Sequence, residues 1–237
     1  MNKLALLALL LTSACDKSGS AAAKAAADQA AAAKASAAEK AAKPAPVEPA
    51  IVEAAIEPPG PPESTGVLDL QLQRIPGAGG KESFRVLSPR VTIDLNTRPA
   101  MSKEDMAAPD GSMIPAAIGL SSNNTGADGF LYLPIPKDRV YNVETGIKGA
   151  RDGFMKMFDP GYKAKDEPAK LGPFDATHVI ADGERGGMKL HVEAWIAWDA
   201  SAYTMYGVMA LRMQGDATGV AALASSFKLR DGQTVGK

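Results

Sequence analysis

The chain holds one cysteine, Cys15, among 237 residues. That excludes an intramolecular disulfide and a thiolate zinc site. Charge of either sign is not in excess: 26 Lys and Arg face 27 Asp and Glu, for a formal net charge of −1. A nucleic-acid binder needs a basic footprint, and none is present. Aromatic residues make up only 5% of the chain. No apolar run reaches the roughly 18 residues that a membrane-spanning helix needs. Histidine is limited to His178 and His191, so imidazole chemistry is confined to those two positions.

What is present begins at the N-terminus. Lys3 supplies a positive charge, Leu4 to Leu11 form an unbroken Leu/Ala run, and Thr12, Ser13 and Ala14 are small. This is the three-part shape of a secretory signal, with a core too short to span a bilayer. Cys15 follows directly, so its sulfur is placed to accept a diacylglycerol thioether. Thr12-Ser13-Ala14-Cys15 resembles the lipobox of bacterial lipoproteins, with Thr12 where Leu is usual and Leu11 one place earlier. The resemblance implies removal of residues 1–14, lipidation of Cys15 and acylation of its new amine. Several acyl chains anchor a protein stably where one does not. The membrane, inner or outer, stays open.

Residues 15–66 are expected to be a lipidated tether. Fifteen of the 22 residues in 21–42 are Ala, the best helix former. No apolar stripe is available to pack a core, so a solvated helix of about 33 Å is expected. Pro44, Pro46, Pro49, Pro58, Pro59, Pro61 and Pro62 follow. Such a stretch favours extended polyproline II at about 3.1 Å per residue. A spacer is the simpler reading, and a cell-wall contact is the sharper one.

Composition changes at Gly66. All the aromatics, both His and nine of the ten Met lie beyond it. About 171 residues, 67–237, suffice for one globular domain. Its expected class is α+β, an antiparallel sheet packed with a few helices. Val67–Gln73 alternates as a half-buried strand. Short strands are expected at Phe84–Leu87, Val91–Leu95 and Gly129–Ile135. Residues 97–128 are rich in Ser, Asn, Gly, Pro and Met and are expected to be irregular, as a lid or an insertion. Ile147, Ala150, Phe154 and Phe158 keep helical spacing, and Asp159-Pro160-Gly161 ends that helix. Ala176–Ala181, Met188–Trp198 and Tyr203–Met213 predict a three-stranded meander. Asp216 is expected to cap a short helix running through Ser225.

This order resembles the Mog1/PsbP-like fold, including the DcrB-like bacterial lipoproteins. The Phe84–Pro89 opening, the meander and the last helix running into Ser226-Phe227-Lys228-Leu229 carry the resemblance. It implies a binding or assembly factor.

Motifs for catalysis are incomplete. Gly77–Lys81 lacks the first Gly and the final Ser or Thr of a phosphate-binding loop, with Ile75 and Glu82 in those places. Ser225 and Lys228 have S-x-x-K spacing without the S-D-N and K-T-G partners. Gly119-Leu120-Ser121-Ser122-Asn123 lacks the last Gly of a nucleophile elbow. No catalytic residue is assigned.

Alternation puts His191, Glu193 and Trp195 on one face of their strand, opposite Leu190, Val192 and Ile196. A His178–His191–Glu193 metal site needs His178 directly across from His191; a solvated sheet face is the simpler reading, and no metal or cofactor is assigned. Met205, Met209 and Met213 share a face with Tyr203 and Leu211; thioethers suit Cu(I), but core packing is the expected role. The expected protein is thus an envelope lipoprotein with a non-enzymatic binding or assembly domain. Its partners are the membrane, through Cys15, and an envelope protein or cell-wall component. The expected contact surface is residues 97–128 with an exposed face at Trp195, His191 and Glu193. The alternative is a small-ligand-binding protein or hydrolase with a pocket under 97–128.

Overall fold

The computed structural model describes residues 57–77, 81–108, 111–123 and 126–234. Cys15, the span 1–14 expected to be a signal peptide, most of the expected tether, and Ala78, Gly79 and Gly80 lie outside them. In chain order the elements are β1 (Glu63–Ser64), β2 (Gln71–Pro76), β3 (Glu82–Leu87), β4 (Val91–Leu95), β5 (Ala100–Ala107), β6 (Met113–Asn123), β7 (Gly126–Pro134) and α1 (Val143–Met155). They continue with β8 (Lys163–Leu171), β9 (Phe174–Arg185), β10 (Met188–Asp199), β11 (Thr204–Met213), α2 (Val220–Ser226) and β12 (Lys228–Leu229). One sheet has five strands in the order β1-β2-β3-β4-β12; the other has seven, β5-β6-β7-β11-β10-β9-β8. Every pairing is antiparallel.

The two sheets share a core. Leu72, Val86, Val91, Ile93 and Leu95 come from the smaller sheet; Phe130, Tyr132, Trp195, Ala197, Tyr206 and Val208 come from the larger. Val220 and Leu223 of α2 join them, with Phe227 behind. Each large apolar side chain buried this way contributes roughly 1.5–3 kcal/mol. Tyr206, 1% exposed, stacks near Tyr132 and Phe174 and meets Phe227 edge-on. Burial pushes its phenol pKa up.

The opposite face of the larger sheet is buried as well. Val179, Val192, Ile196 and Met205 are fully buried there, and Met209 and Leu211 nearly so. Helix α1 lies against it. Phe154 sits over Gly207, where a Cβ would lie 3.4 Å from its ring tip, and Phe158 sits over Gly183. Strand β11 is consequently buried at every position from Thr204 to Arg212. Met205 and Met209 fill this core, while Met213 is half exposed.

The meander forms as expected, with a longer first strand: β9 runs from Phe174 to Arg185, where Ala176–Ala181 was expected, and β10 starts at Met188 as expected. Four expectations are corrected. The described residues of 97–128 are not irregular; β5 and β6 form a long hairpin paired from Ala100–Leu120 to Ala107–Met113. Pro115 sits beyond the pairing with β7, where β6 has a partner on one side only. Val67–Gln73 is a strand only from Gln71, because Leu68 (φ 45°) and Asp69 (φ 58°) adopt left-handed backbone in a turn closed by Thr65 N–H on Leu70 O. Asp216 accepts from Thr218 N–H at 2.8 Å in a turn, and Gly219, not Asp216, occupies the N-cap of α2. Phe158 falls outside α1, which starts at an Asn142 cap bonded to Thr145 N–H at 2.9 Å.

Two elements were unexpected. Strand β8 is a polar edge strand containing Pro168, devices that guard an edge against further pairing. Strand β1 and Gly60, within the span read as tether, bond to β2.

An ion pair lies inside the sandwich. Arg212 Nη2 donates to Asp128 Oδ1 at 2.6 Å, and the two side chains are 1% and 0% exposed. The guanidinium also donates to the carbonyls of Thr218, Ala127 and Leu211, and Asn96 donates to the second Asp128 oxygen.

Asp128→Ala leaves that guanidinium buried without its counter-charge. It should cost about 3–5 kcal/mol in urea unfolding, whereas replacing Asp128 and Arg212 together with apolar residues should cost less than the single change. Gly149 and Gly153 of α1 are exposed, with open space where a Cβ would stand. Each changed to Ala should stabilise by about 0.5–1 kcal/mol. Gly183→Ala, with a Cβ 2.6 Å from Phe158, should lower the melting temperature.

Candidate functional site

The β9–β10 hairpin turns through Gly186 and Gly187, both at positive φ (57° and 82°). A two-residue loop of this kind demands left-handed backbone at both positions and sets the register. Arg185 therefore pairs with Met188, Asp182 with His191, Ile180 with Glu193 and His178 with Trp195. Paired residues share a face. His178, Asp182, His191, Glu193 and Trp195 thus line one side, as alternation predicts for the last three.

His178 does not lie across from His191; Trp195 does that for His178, and Asp182 for His191. The side chains nevertheless meet. His178 Nε2 is 2.9 Å from Glu193 Oε2. His191 Nε2 is 3.3 Å from Glu193 Oε1, and its Nδ1 is 2.9 Å from Asp182 Oδ1. The four form one chain: His178, Glu193, His191, Asp182. Side-chain exposure is 15% and 19% for the two histidines, 20% for Glu193 and 45% for Asp182. The strip is a half-buried polar seam open to solvent at its Asp182 end.

Trp195 is not an exposed platform. It is 7% exposed because the smaller sheet covers it, and the His178 ring stacks on it at 4.3 Å and 7°. Sequence alternation cannot reveal a second sheet, so the indole was expected on a solvated face. Asp182 and the His178–Trp195 stack were missed for a related reason. Read as a six-residue turn, 182–187 leaves the register open; the Gly186-Gly187 pair was the signal that closes it.

Each imidazole addresses a different oxygen of Glu193. Among the described residues, no group of three or more His, Cys, Asp or Glu is arranged to hold a metal ion. Ser121 is buried and its hydroxyl lies 2.6 Å from Thr97 Oγ1 on the far side of β11, away from both histidines. Ser226 Oγ donates to Leu223 O and accepts from Asp94 N–H, closing α2 against β4. Gly77 N–H donates to Lys81 O, which is hairpin geometry between β2 and β3. No described helix is long and apolar enough to cross a membrane.

No family model, curated protein or solved structure matches this chain.

Burial acts to lower the pKa of His191, but hydrogen bonds to Asp182 and Glu193, with their negative charges, outweigh it and raise the value. A raised value means the folded state holds the proton more tightly than the unfolded chain. The contribution is then fully present below the ordinary histidine value of 6.5 and is lost as pH rises through the raised one. His191→Gln should therefore destabilise by roughly 1–2 kcal/mol below that value. The cost should shrink well above it, read as the difference in melting temperature between variant and wild type across pH.

Proposed function

We propose that the chain is a lipid-anchored protein of the bacterial envelope whose domain acts as a non-enzymatic binding or assembly module. One observation carries the reading: Thr12-Ser13-Ala14-Cys15 directly follows an apolar run and precedes an Ala- and Pro-rich stretch. Acylated Cys15 holds the chain at the membrane, and the tether lets the domain search nearby envelope components at raised effective concentration. The candidate site fits recognition. Its ionisable groups are bonded to one another, and none of its contacts is a hydroxyl or thiol nucleophile. A partly exposed seam of His and carboxylate, framed by Lys165 and Glu167 on neighbouring β8, offers polar contacts to a partner surface. The Mog1/PsbP-like resemblance accords with such a role.

A second reading has its own observation. A cleft of about 240 Å³ lies beside the β5–β6 hairpin, lined by Met106, Ile114, Leu133, Tyr141, Gly149 and Met205 among others. In this reading it holds a small apolar ligand.

In-cell crosslinking and mass spectrometry of the full chain, beside Cys15→Ser and Glu193→Ala, tests the first reading. A defined envelope partner should be recovered with wild type, lost with Cys15→Ser and reduced several-fold with Glu193→Ala. Equal, sparse recovery from all three would contradict it. Gly149→Leu, which should fill the cleft, separates the readings: partner recovery unchanged favours the module.

A further inference from the structure

Both ring nitrogens of His191 face carboxylate oxygens, Nδ1 at 2.9 Å from Asp182 and Nε2 at 3.3 Å from Glu193. A neutral imidazole has one N–H and one lone pair. It can donate to only one of these carboxylates; its lone pair then faces the other. Only the imidazolium donates to both, so this arrangement favours a proton on each nitrogen.

The two carboxylates are not equivalent. Glu193 is 20% exposed and is held from its other side by His178. Asp182 is 45% exposed and lines a surface cleft of about 460 Å³ with Asp159, Lys163, Glu184 and Lys189. Loss of the proton therefore acts on the Asp182 end, where a carboxylate can turn to water at low cost.

We propose that His191 is a proton-operated latch across β9 and β10: as imidazolium it holds Asp182 and Glu193 together, and on deprotonation it keeps Glu193 and releases Asp182 into the adjoining cleft. The charged neighbours are compatible with this. From β8, Lys163 pairs with Asp182, Lys165 with Ile180 and Glu167 with His178. On the hairpin itself Lys189 pairs with Glu184. From β11, Arg212 is the register partner of His191, but its guanidinium is committed to Asp128 of β7. Lys163, already on the cleft wall, is the cation placed to receive the released carboxylate. As pH rises the Asp182 carboxylate on the cleft wall thus loses its imidazolium partner, changing the charge that the strip presents. As regulation of recognition this rests on the reading of the strip as a binding surface. The latch itself is tested without any partner, so the two fail separately.

The test is an NMR titration of the isotopically labelled full chain from about pH 5 to about pH 9, following the His ring carbons and the Asp and Glu carboxyl carbons. The His191 midpoint should lie above 6.5. The Asp182 carboxyl carbon should inflect at that same midpoint, far from ordinary carboxylate titration, and Asp182→Asn should move the midpoint down. His178→Gln should leave the Asp182 inflection in place. A His191 midpoint at or below 6.5 overturns the proposal, as does an Asp182 signal flat through the His191 transition. Wild type alone decides the question if a variant fails to fold.

Discussion

Burial of both faces of the seven-stranded sheet governs the rest of this structure. Strands β10 and β11 lie near its middle and cannot spend one face on solvent. The smaller sheet and α2 cover one side; α1 and the segment after it cover the other. Two glycines where α1 and the segment after it meet the sheet follow from this. Gly207 admits Phe154, and Gly183 admits Phe158. The edges follow too. The last strand on one side, β8, carries Lys, Asp, Glu and Pro168 in place of an apolar face, which leaves it unsuited to adding a further strand.

The same constraint explains the polar groups that remain inside. Arg212 and Asp128 occupy the covered face and are satisfied by one another, by three carbonyls and by Asn96. Farther along that face, where the cover thins, His178, Glu193, His191 and Asp182 satisfy each other while retaining access to water. No fully buried side-chain N or O among the described residues lacks a partner. A half-buried seam of this kind stiffens the hairpin, and its exposed end is where a change in proton occupancy has somewhere to go.

The meander was legible because its strands are long, β-rich and separated by plain turn residues. The short strands at 84–87 and 91–95 were legible because apolar β-formers flank the turn at Ser88-Pro89-Arg90. Residues 97–128 were not: β5 is a polar edge strand and Pro115 interrupts β6, so neither shows clean alternation. Strand β8 hid behind its own charges. Leu68 and Asp69 kept the alternation of a strand while adopting a turn, which no periodicity reports. In the candidate site, one face for His191, Glu193 and Trp195 was readable from period two. The burial of Trp195 was not, because it depends on a sheet contributed by residues more than a hundred positions earlier. Asp182 became visible only through the two-glycine turn.

The functional account joins two parts of the chain with different physics. A stably packed domain presents a polar seam, and an Ala- and Pro-rich stretch connects it to Cys15. Display on a membrane is the claim on which the binding role depends. Mass spectrometry of the N-terminal peptide, from full chain extracted from bacterial membranes, tests it most directly. The account predicts a mature chain that begins at Cys15 with a diacylglycerol thioether on its sulfur. A chain that retains residues 1–14, or that carries an unmodified Cys15 thiol, would contradict it.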